Sequence, residues 1–474
     1  MGIQIGGQIE KVSGKKLGYN EFVERYMEKN QPVVLTGLMD DWRACRDWVT
    51  DDGQPNLQFF ATHFGKSKVQ VADCGTREFT DQKRMEMTVA DFVEQWLGDP
   101  IQEHSNASSH EAMSKELLYL KDWHFVKEYP EYKAYTTPVL FCDDWLNMYL
   151  DNYHMHNDPN IYSENNEISC SDYRFVYMGA KGTWTPLHAD VFRSYSWSAN
   201  VCGKKRWLFL SPSQSHLVFG RNMKSCVYNI FDDVSETNVP GFAKAIWLES
   251  IQEPNEIIFV PSGWYHQVHN LEDTISINHN WFNAYNIRWV WDLLLRDYYE
   301  AKEYIEDIKD ICDDFEGLCQ RNLAANTGMN FSDFLIFLAR FSLANLIQLH
   351  YFARKNGNHT RHSSPIAQNF TFNLASIQKI ASNIKSMEDQ TGSHGFHLDF
   401  REALNDPKFF KLCTVLGRQY GMVHMEPDWN CDTKKAWLDD MRYMEILGTC
   451  SSEVSTASDL VKFVEHAVAE FMGV

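Results

Sequence analysis

The chain has 474 residues, of which 44% are apolar and 14% aromatic, and its formal net charge is -20. This length and composition predict a globular protein with two or three structural units. The negative charge disfavours DNA or RNA as the main partner, because phosphates would be repelled, and favours a basic protein segment. The 11 cysteines are scattered singly, which indicates a reducing compartment and argues against structural zinc.

Residues 1–110 have a mixed pattern of short helices and strands. Residues 19–29 suit an amphipathic helix, and residues 31–37 form an apolar run between a proline and a glycine that is typical of a strand. A second helix is predicted at residues 89–97. The hydroxyl of Thr88 is placed to cap it by accepting from free N–H groups of the first turn. Residues 1–16 have no apolar core of the signal-peptide type.

Residues 111–285 contain several short β-rich runs that are separated by glycine and proline. Many short strands of this kind predict a β-barrel or a sandwich. From residue 286 to residue 474 the pattern is mostly helical, with long periodic segments at 289–311 and 331–352. The second of these segments is interrupted by polar side chains, so it predicts a buried helix and not a membrane span.

A histidine and a carboxylate lie two residues apart in a segment with the pattern of a strand. Side chains alternate along a strand, so His188 and Asp190 are expected to point the same way. A second histidine would complete a ligand set of two histidines and one carboxylate, which is the set typical of non-haem Fe(II) oxygenases. We favour His266, which follows a Pro-Ser-Gly-Trp turn, as this third ligand. His269, of opposite strand parity, is the main alternative, and His279 lies farther along the chain.

Two segments, residues 185–211 and 256–282, resemble the JmjC family of Fe(II)- and 2-oxoglutarate-dependent oxygenases. Residues 31–42 resemble the opening segment of small JmjC hydroxylases, and the resemblance covers about residues 20–285. It implies an α+β fold, in which a double-stranded β-helix (a jelly-roll, cupin-like barrel) occupies residues 111–285. Residues 1–110 would then be a mixed α/β segment packed on this JmjC barrel, and residues 286–474 a C-terminal helical region.

The resemblance also implies a set of residues that bind the co-substrate, 2-oxoglutarate. Lys205 takes the position of the basic side chain that binds the distal carboxylate, and Thr185 and Tyr119 match a hydroxyl and a tyrosine of the same pocket. Asn278 and Asn280 lie on one face of a later strand, where family members place polar contacts to the co-substrate and near the metal. One departure is a serine, at position 198, where some relatives carry asparagine.

The resemblance implies that the protein uses Fe(II), with 2-oxoglutarate and O2 as co-substrates, to hydroxylate another protein. Residues 188–207 most resemble a family member that hydroxylates a lysine of the eukaryotic translation termination factor. The alternatives are a JmjC histone lysine demethylase and a non-catalytic JmjC scaffold. The chain has neither cysteine-rich reader modules nor a basic nuclear-targeting tract, which argues against the demethylase. We expect a cytoplasmic protein, with a nuclear location left open, no nucleic-acid or membrane partner, and a homodimer formed through the C-terminal helices.

Overall fold

The computed structural model describes residues 2–98, 116–156, 172–356, 364–391, 396–425 and 453–472. The chain divides into two compact units. The first consists of Met1–Pro138, Tyr173–Asp190 and Tyr195–Asn280, and the second of Val139–Asp172, Val191–Ser194 and Trp281–Val474. The domain boundary predicted after residue 110 lies outside the described residues, and the boundaries at 110 and 285 stay predictions.

The first unit is built mainly from strands. Its strands are β1 (Gln4–Gln8), β2 (Lys11–Ser13), β3 (Val33–Thr36), β4 (Lys68–Glu78), β5 (Asp81–Thr88), β6 (Leu118–Trp123), β7 (Arg174–Gly179), β8 (Trp184–His188), β9 (Tyr195–Cys202), β10 (Lys205–Leu210), β11 (Ile246–Gln252), β12 (Glu256–Val260), β13 (Tyr265–Asn270) and β14 (Thr274–Trp281).

These strands form two sheets. One has the order β1-β11-β10-β13-β8, and the other has the order β2-β3-β12-β9-β14-β7-β6-β4-β5. Strands β7 to β14 contribute four neighbouring strands to each sheet, which is the arrangement of a jelly roll. The predicted double-stranded β-helix is therefore confirmed. Strands β1 to β6 extend this core, with β1 at one edge of the smaller sheet and the others at both ends of the larger sheet.

Short helices accompany these strands: α1 (Tyr19–Phe22), α2 (Ala44–Asp47), α3 (Leu57–Phe64), α4 (Val89–Leu97) and α5 (Phe125–Glu128). The helix predicted at residues 19–29 begins as expected, but its second half, Val23–Met27, is a π-helix. Helix α4 has the predicted limits. The Thr88 side chain accepts from the N–H of Asp91, and the Asp91 side chain accepts from the N–H of Thr88, which forms a capping box.

One end of the space between the two sheets is filled by apolar side chains. Trp207 and Phe209 on β10 pack with Ile258 and Val260 on β12 and with Val268 on β13. Fully burying such a side chain contributes roughly 1.5–3 kcal/mol. This cluster fixes the smaller sheet against the larger one, and the polar side chains of the same strands occupy the rest of the interior.

The second unit is mainly helical. Its helices are α6 (Trp145–Leu150), α7 (Ile287–Tyr304), α8 (Phe315–Thr327), α9 (Phe331–Asn356), α10 (Pro365–Thr391), α11 (Phe400–Asn405), α12 (Pro407–Val423) and α13 (Ala457–Met472), and strands β15 (Leu398–Asp399) and β16 (Glu453–Val454) form a small ladder. The predicted helical character is confirmed for the described residues of this region. The segment predicted as one helix over 289–311 ends its α-helical part at Tyr304, and a 3-10 helix, Glu306–Ile311, follows.

Helix α9 forms the centre of the second unit. Within the described residues, its segment Phe331–Phe352 is the one helical stretch long and apolar enough to cross a membrane, and 78% of its most apolar part is buried inside the protein. Its burial follows from packing against α10, α12 and α13. This burial favours the predicted core helix.

Candidate metal centre and co-substrate site

Three side chains in the first unit converge on one point. His188 ends β8, Asp190 lies two residues beyond it, and His266 lies on β13 directly opposite His188. One ligand atom from each residue lies within 4.8 Å of the other two. Two histidines and one carboxylate on one side of a metal position are typical of non-haem Fe(II) sites. The structure therefore brings together the three ligands that the sequence predicts.

The prediction that alternation along one strand would orient both His188 and Asp190 is wrong for Asp190. Strand β8 ends at His188, so Asp190 lies beyond the strand and alternation along β8 does not orient it. Its orientation comes from a hydrogen bond instead: Ser196 on β9 donates its hydroxyl to Asp190 Oδ2 over 2.7 Å. This contact holds the carboxylate toward the two imidazoles.

Backbone contacts orient both imidazoles. His188 Nδ1 lies 2.8 Å from the carbonyl oxygen of Pro186, and His266 Nδ1 lies 3.1 Å from that of Trp264. A carbonyl oxygen only accepts, so Nδ1 carries the proton in each ring and Nε2 keeps its lone pair for a metal. Such outer contacts fix the tautomer and the ring orientation in metalloproteins. The donor set thus fits Fe(II).

Burial keeps His266 uncharged. This side chain is 3% exposed, with the rings of Trp207 and Phe209 centred 5.6 and 5.7 Å from its own. Burial, and then the neighbouring His188, lower the pKa of His266 to about 4. A neutral imidazole at pH 7 is the form that binds a metal, so no proton has to leave this residue before the metal binds.

A β-bulge in β8 places Thr185 on the same face as His188. His188 pairs with His266, and Thr185 pairs with Val268, so one extra residue of β8 is inserted against β13. Without it, two positions three residues apart would face opposite sides. The bulge contains Pro186, which has no N–H to donate, and the N–H of Leu187 bonds outside the ladder to the carbonyl of Tyr228 at 3.0 Å. Thr185 can thus belong to the same pocket as the metal ligands.

Lys205 lies inside the barrel between the two sheets. Its side chain is 2% exposed, and its Nζ donates to Tyr119 Oη at 3.2 Å and to Ser276 Oγ at 2.8 Å. Both partners are uncharged, and burial, followed by the charge of Lys121, lowers the pKa of Lys205 to about 7. A buried cation with neutral partners favours an anionic ligand, because an unpaired buried charge is costly. This pocket therefore fits the distal carboxylate of 2-oxoglutarate.

A further polar group faces the same interior without a partner. Ser198 is buried, and its Oγ has no hydrogen-bond partner among the described residues. It lies two residues from Ser196 on β9 and so shares its face. A buried hydroxyl of this kind is expected to bond to a ligand or water, which supports a polar ligand in the barrel.

The remaining predicted residues are placed as follows. Asn278 and Asn280 follow Ser276 on the same face of β14, and Asn278 Nδ2 donates to Ser276 Oγ at 3.2 Å. His269 is not part of the three-residue cluster: its ring stacks on Trp184, 5.7 Å between centroids, and its Nε2 lies 2.8 Å from Gln267 Nε2. The geometry thus favours His266 over its main alternative.

Three side chains of the site are absent from the sequence-based prediction. Ser196 orients Asp190, Ser276 binds Lys205, and Lys121 is a second buried lysine beside Tyr119. Ser276 could have been found from the alternation of side chains along β14, because it lies on the same strand face as Asn278 and Asn280. The same alternation along β6 places Lys121 on the strand face of Tyr119, two residues earlier.

Comparison with known proteins agrees with this geometry. Residues 19–287 match the family described as "Cupin-like domain". The chain is 58% identical over 466 residues, 98% of each protein, to the Arabidopsis thaliana protein named "Arginine-specific demethylase JMJ20". It is 39% identical over 332 residues to the Danio rerio "2-oxoglutarate and iron-dependent oxygenase JMJD4", covering 68% of this chain and 72% of that protein. The human protein of that name is 35% identical over 343 residues, 72% of this chain and 77% of that protein.

The jelly-roll barrel with two histidines and one carboxylate thus defines a cupin-type metal enzyme. The chain belongs to the JmjC cupin-like family, whose relatives named JMJD4 are 2-oxoglutarate- and iron-dependent oxygenases. The resemblance expected from the sequence is confirmed, as are iron and 2-oxoglutarate as the cofactor and co-substrate, for which the three-residue cluster provides a metal site.

Proposed function

We propose that this protein is a cytoplasmic hydroxylase that oxidises a lysine side chain of the eukaryotic translation termination factor. The observation that carries the enzymatic part is the pairing of the three-residue metal cluster with the buried Lys205 pocket in one barrel. The lysine and the termination factor rest on the sequence resemblance of residues 188–207, and on the similarity to the JMJD4 proteins over about two thirds of the chain.

Iron and 2-oxoglutarate, when bound, supply the oxidation: O2 is consumed, 2-oxoglutarate becomes succinate and CO2, and one C–H bond of the substrate becomes C–OH. The protein's own residues provide position and environment. His188, Asp190 and His266 would hold the iron, Ser196 orients the carboxylate ligand, and Lys205 would hold the co-substrate at its far end.

Aromatic and aliphatic side chains line the interior next to His266. Trp207 and Phe209 contact the His266 ring, and the apolar cluster with Ile258 and Val260 closes the barrel behind them. A dry site protects a reactive centre from side reactions with solvent. These residues therefore favour oxidation of a bound side chain over reaction with water.

Charge supports a basic substrate. The net charge of -20 attracts a lysine-bearing segment and repels a nucleic-acid backbone over distances of about 8 Å at physiological salt. We further propose that the substrate is a protein and that two copies of the chain associate through the C-terminal helices. The mass of the purified protein, measured by light scattering or after chemical cross-linking, tests the proposed dimer. A monomer at micromolar concentration would contradict it.

A second candidate function is demethylation of methylated arginine. It is favoured by the name of the Arabidopsis relative, which is 58% identical over 98% of both chains. The two reactions share one hydroxylation step and differ in the bond that is oxidised. Hydroxylation of an N-methyl group gives an unstable product that loses formaldehyde, whereas hydroxylation on a lysine carbon gives a stable alcohol.

Fragment mass spectrometry of the products separates these candidates. The enzyme, with Fe(II), 2-oxoglutarate and O2, is incubated with recombinant termination factor and, separately, with peptides that carry methylated arginine or methylated histone lysine. A gain of one oxygen on a single lysine of the factor supports the proposal. Loss of a methyl group with formaldehyde supports a demethylase instead.

The Asp190→Ala variant serves as the inactive control, because it lacks one of the three ligands. Unmodified termination factor with full turnover of a methylated peptide would overturn the proposed substrate. Absence of succinate formation with every substrate, in a protein that still binds metal, would support the non-catalytic scaffold.

A further inference from the structure

A second buried lysine lies beside the co-substrate pocket. Lys121 on β6 is 2% exposed, and it shares its strand face with Tyr119, two residues earlier. Its Nζ lies 5.0 Å from the centre of the Tyr119 ring, and Lys205 Nζ lies 5.9 Å from the same centre. Two ammonium groups therefore lie close to one tyrosine ring in the barrel interior.

Within the part of the chain that the structure describes, Lys121 is not paired with a carboxylate. Its Nζ donates to the amide oxygen of Gln82 at 2.8 Å. The nearby Asp122 is bound by Arg84 at 2.7 Å and by the Tyr177 hydroxyl at 2.6 Å. Its negative charge is thus already matched by a guanidinium. A buried ammonium with a neutral partner is unfavourable for folding alone, which points to a ligand that balances it.

Gln82 links this lysine to the strand that carries the site. Its Nε2 donates to the carbonyl of Trp184 at 3.0 Å, and Trp184 begins β8, directly before Thr185. The two hydrogen bonds, from Lys121 to Gln82 and from Gln82 to Trp184, therefore connect β6 of the larger sheet to β8 of the smaller sheet. These hydrogen bonds connect Lys121 to the strand that carries Thr185 and His188.

We propose that Lys121 is a second positively charged residue of the co-substrate site, where it acts with Lys205 to select a dicarboxylate. It is a specificity-determining residue that attracts the distal carboxylate through space, while Lys205 makes the direct contact. The proposal rests on the 2-oxoglutarate dependence of the family and does not depend on which protein side chain is oxidised, so failure of the proposed substrate leaves it intact.

The two lysines also affect each other's protonation. Burial, then the charge of Arg84, lowers the pKa of Lys121 to about 8, against the opposing effects of Cys74, Asp81 and Asp122. Lys205 is affected by burial, by Lys121 and by Cys202. Burial raises the pKa of the Cys74 and Cys202 thiols, so both stay neutral, as does Tyr119, whose pKa is also raised. A bound carboxylate would favour the charged form of both lysines.

The test compares Lys121→Met with the wild type by calorimetric titration of the Mn(II)-loaded protein. The two ligands are 2-oxoglutarate and 2-oxovalerate, a keto acid without the distal carboxylate. Lys121 Nζ and Lys205 Nζ lie 5.0 and 5.9 Å from the same ring centre, so at an effective dielectric constant of about 20 the loss of one charge is expected to weaken 2-oxoglutarate binding roughly tenfold or more. The affinity for 2-oxovalerate should stay within about twofold, because it has no distal charge to attract.

Two variants keep this experiment specific. Lys121→Arg should restore most of the affinity, since it keeps the charge. Lys204→Met removes an exposed lysine that forms ion pairs with Glu253 and Glu272, and it should bind both keto acids like the wild type. Equal losses for both keto acids in Lys121→Met would indicate a packing defect and overturn the proposal, as would unchanged binding of 2-oxoglutarate.

The wild-type protein provides an independent measurement if Lys121→Met does not fold. Near pH 8.5 both lysines are largely deprotonated in the free protein, so 2-oxoglutarate binding should take up more than one proton. Calorimetry in buffers with different ionisation enthalpies measures this number. An uptake of one proton or fewer would indicate Lys205 alone and overturn the proposal.

Discussion

Replacing Ser196 by alanine isolates the contact that orients the carboxylate ligand. Ser196 donates its hydroxyl to Asp190 Oδ2 over 2.7 Å, and its side chain is largely buried. A hydrogen bond to a charged group contributes roughly 1.5–3 kcal/mol, which corresponds to about 10- to 100-fold in affinity. Losses of the same size are typical when the partner of a metal ligand is removed. We expect Ser196→Ala to weaken metal binding by about 10- to 100-fold.

The measurement is a titration of the metal-free protein with Mn(II), in which electron paramagnetic resonance reports the free ion, repeated with Fe(II) under anaerobic conditions. Ser250→Ala is the matched control. Ser250 is 2% exposed, and its Oγ has no hydrogen-bond partner among the described residues, so Ser250→Ala also removes a buried hydroxyl but no hydrogen bond to a metal ligand. Thermal unfolding of both variants reports the integrity of the fold.

The reasoning is refuted if Ser196→Ala binds Mn(II) as tightly as Ser250→Ala while both unfold at the wild-type temperature. That result would mean that the backbone after β8 fixes Asp190 without help from β9. A loss of affinity that appears equally in both variants would indicate a general effect of the lost hydroxyl, and the role given to Ser196 would again be wrong.

Three further predictions use the same protein. His266→Ala should abolish Mn(II) binding, whereas His269→Ala should leave it unchanged because that ring packs on Trp184; equal losses in both would contradict the choice of ligand. The affinity for 2-oxoglutarate should fall as the pH rises above about 7, because the pKa of Lys205 lies near 7 in the free protein and a bound carboxylate raises it; a flat profile between pH 6 and 9 would argue against this pocket, and Lys205→Met should remove the part of the dependence that begins near pH 7. Thr88→Ala should lower the free energy of unfolding by about 1 kcal/mol in urea titrations, since it removes the capping box of α4, while Thr88→Ser should keep most of it; an unchanged free energy of unfolding in Thr88→Ala would show that the cap adds nothing.

The sequence predicts the barrel and the direct metal ligands because their signals are local. Turns and short β-rich runs indicate the jelly roll, and the His-x-Asp motif with the Pro-Ser-Gly-Trp-Tyr-His strand indicates the three ligands. The N-terminal strands were harder to place, because β4 and β5 join the larger sheet through β6, a pairing across some 50 residues of the chain. Pairing partners at such separations are not encoded in any local pattern.

Strand alternation indicated the faces of Ser276 and Lys121, but the contacts of the supporting residues could not be predicted. Ser196 touches Asp190 only because β9 passes the end of β8, and Ser276 and Lys205 are 71 residues apart in sequence. Regular alternation also gives the wrong face for Thr185, since only the pairing of β8 with β13 reveals the extra residue at Pro186. Lys121 has the pattern of an ordinary strand residue until Gln82 and Tyr119 are placed around it.

The pairing of β10 with β13 sets a length scale for the ligand. His266 pairs with Phe209, and Asn270 pairs with Lys205, so the metal end and the ammonium end of the interior are four residues apart on two hydrogen-bonded strands. Four residues of strand span roughly 13 Å. The gap between the two functional groups is shorter, because the His266 and Lys205 side chains extend into it from both ends. A shift of the pairing register by one residue would turn the inner residues of a strand outward. The pairing therefore fixes the positions of His266 and Lys205 relative to each other. The register therefore fixes the separation between the strand positions of the metal ligand and the ammonium group that a keto diacid has to bind together.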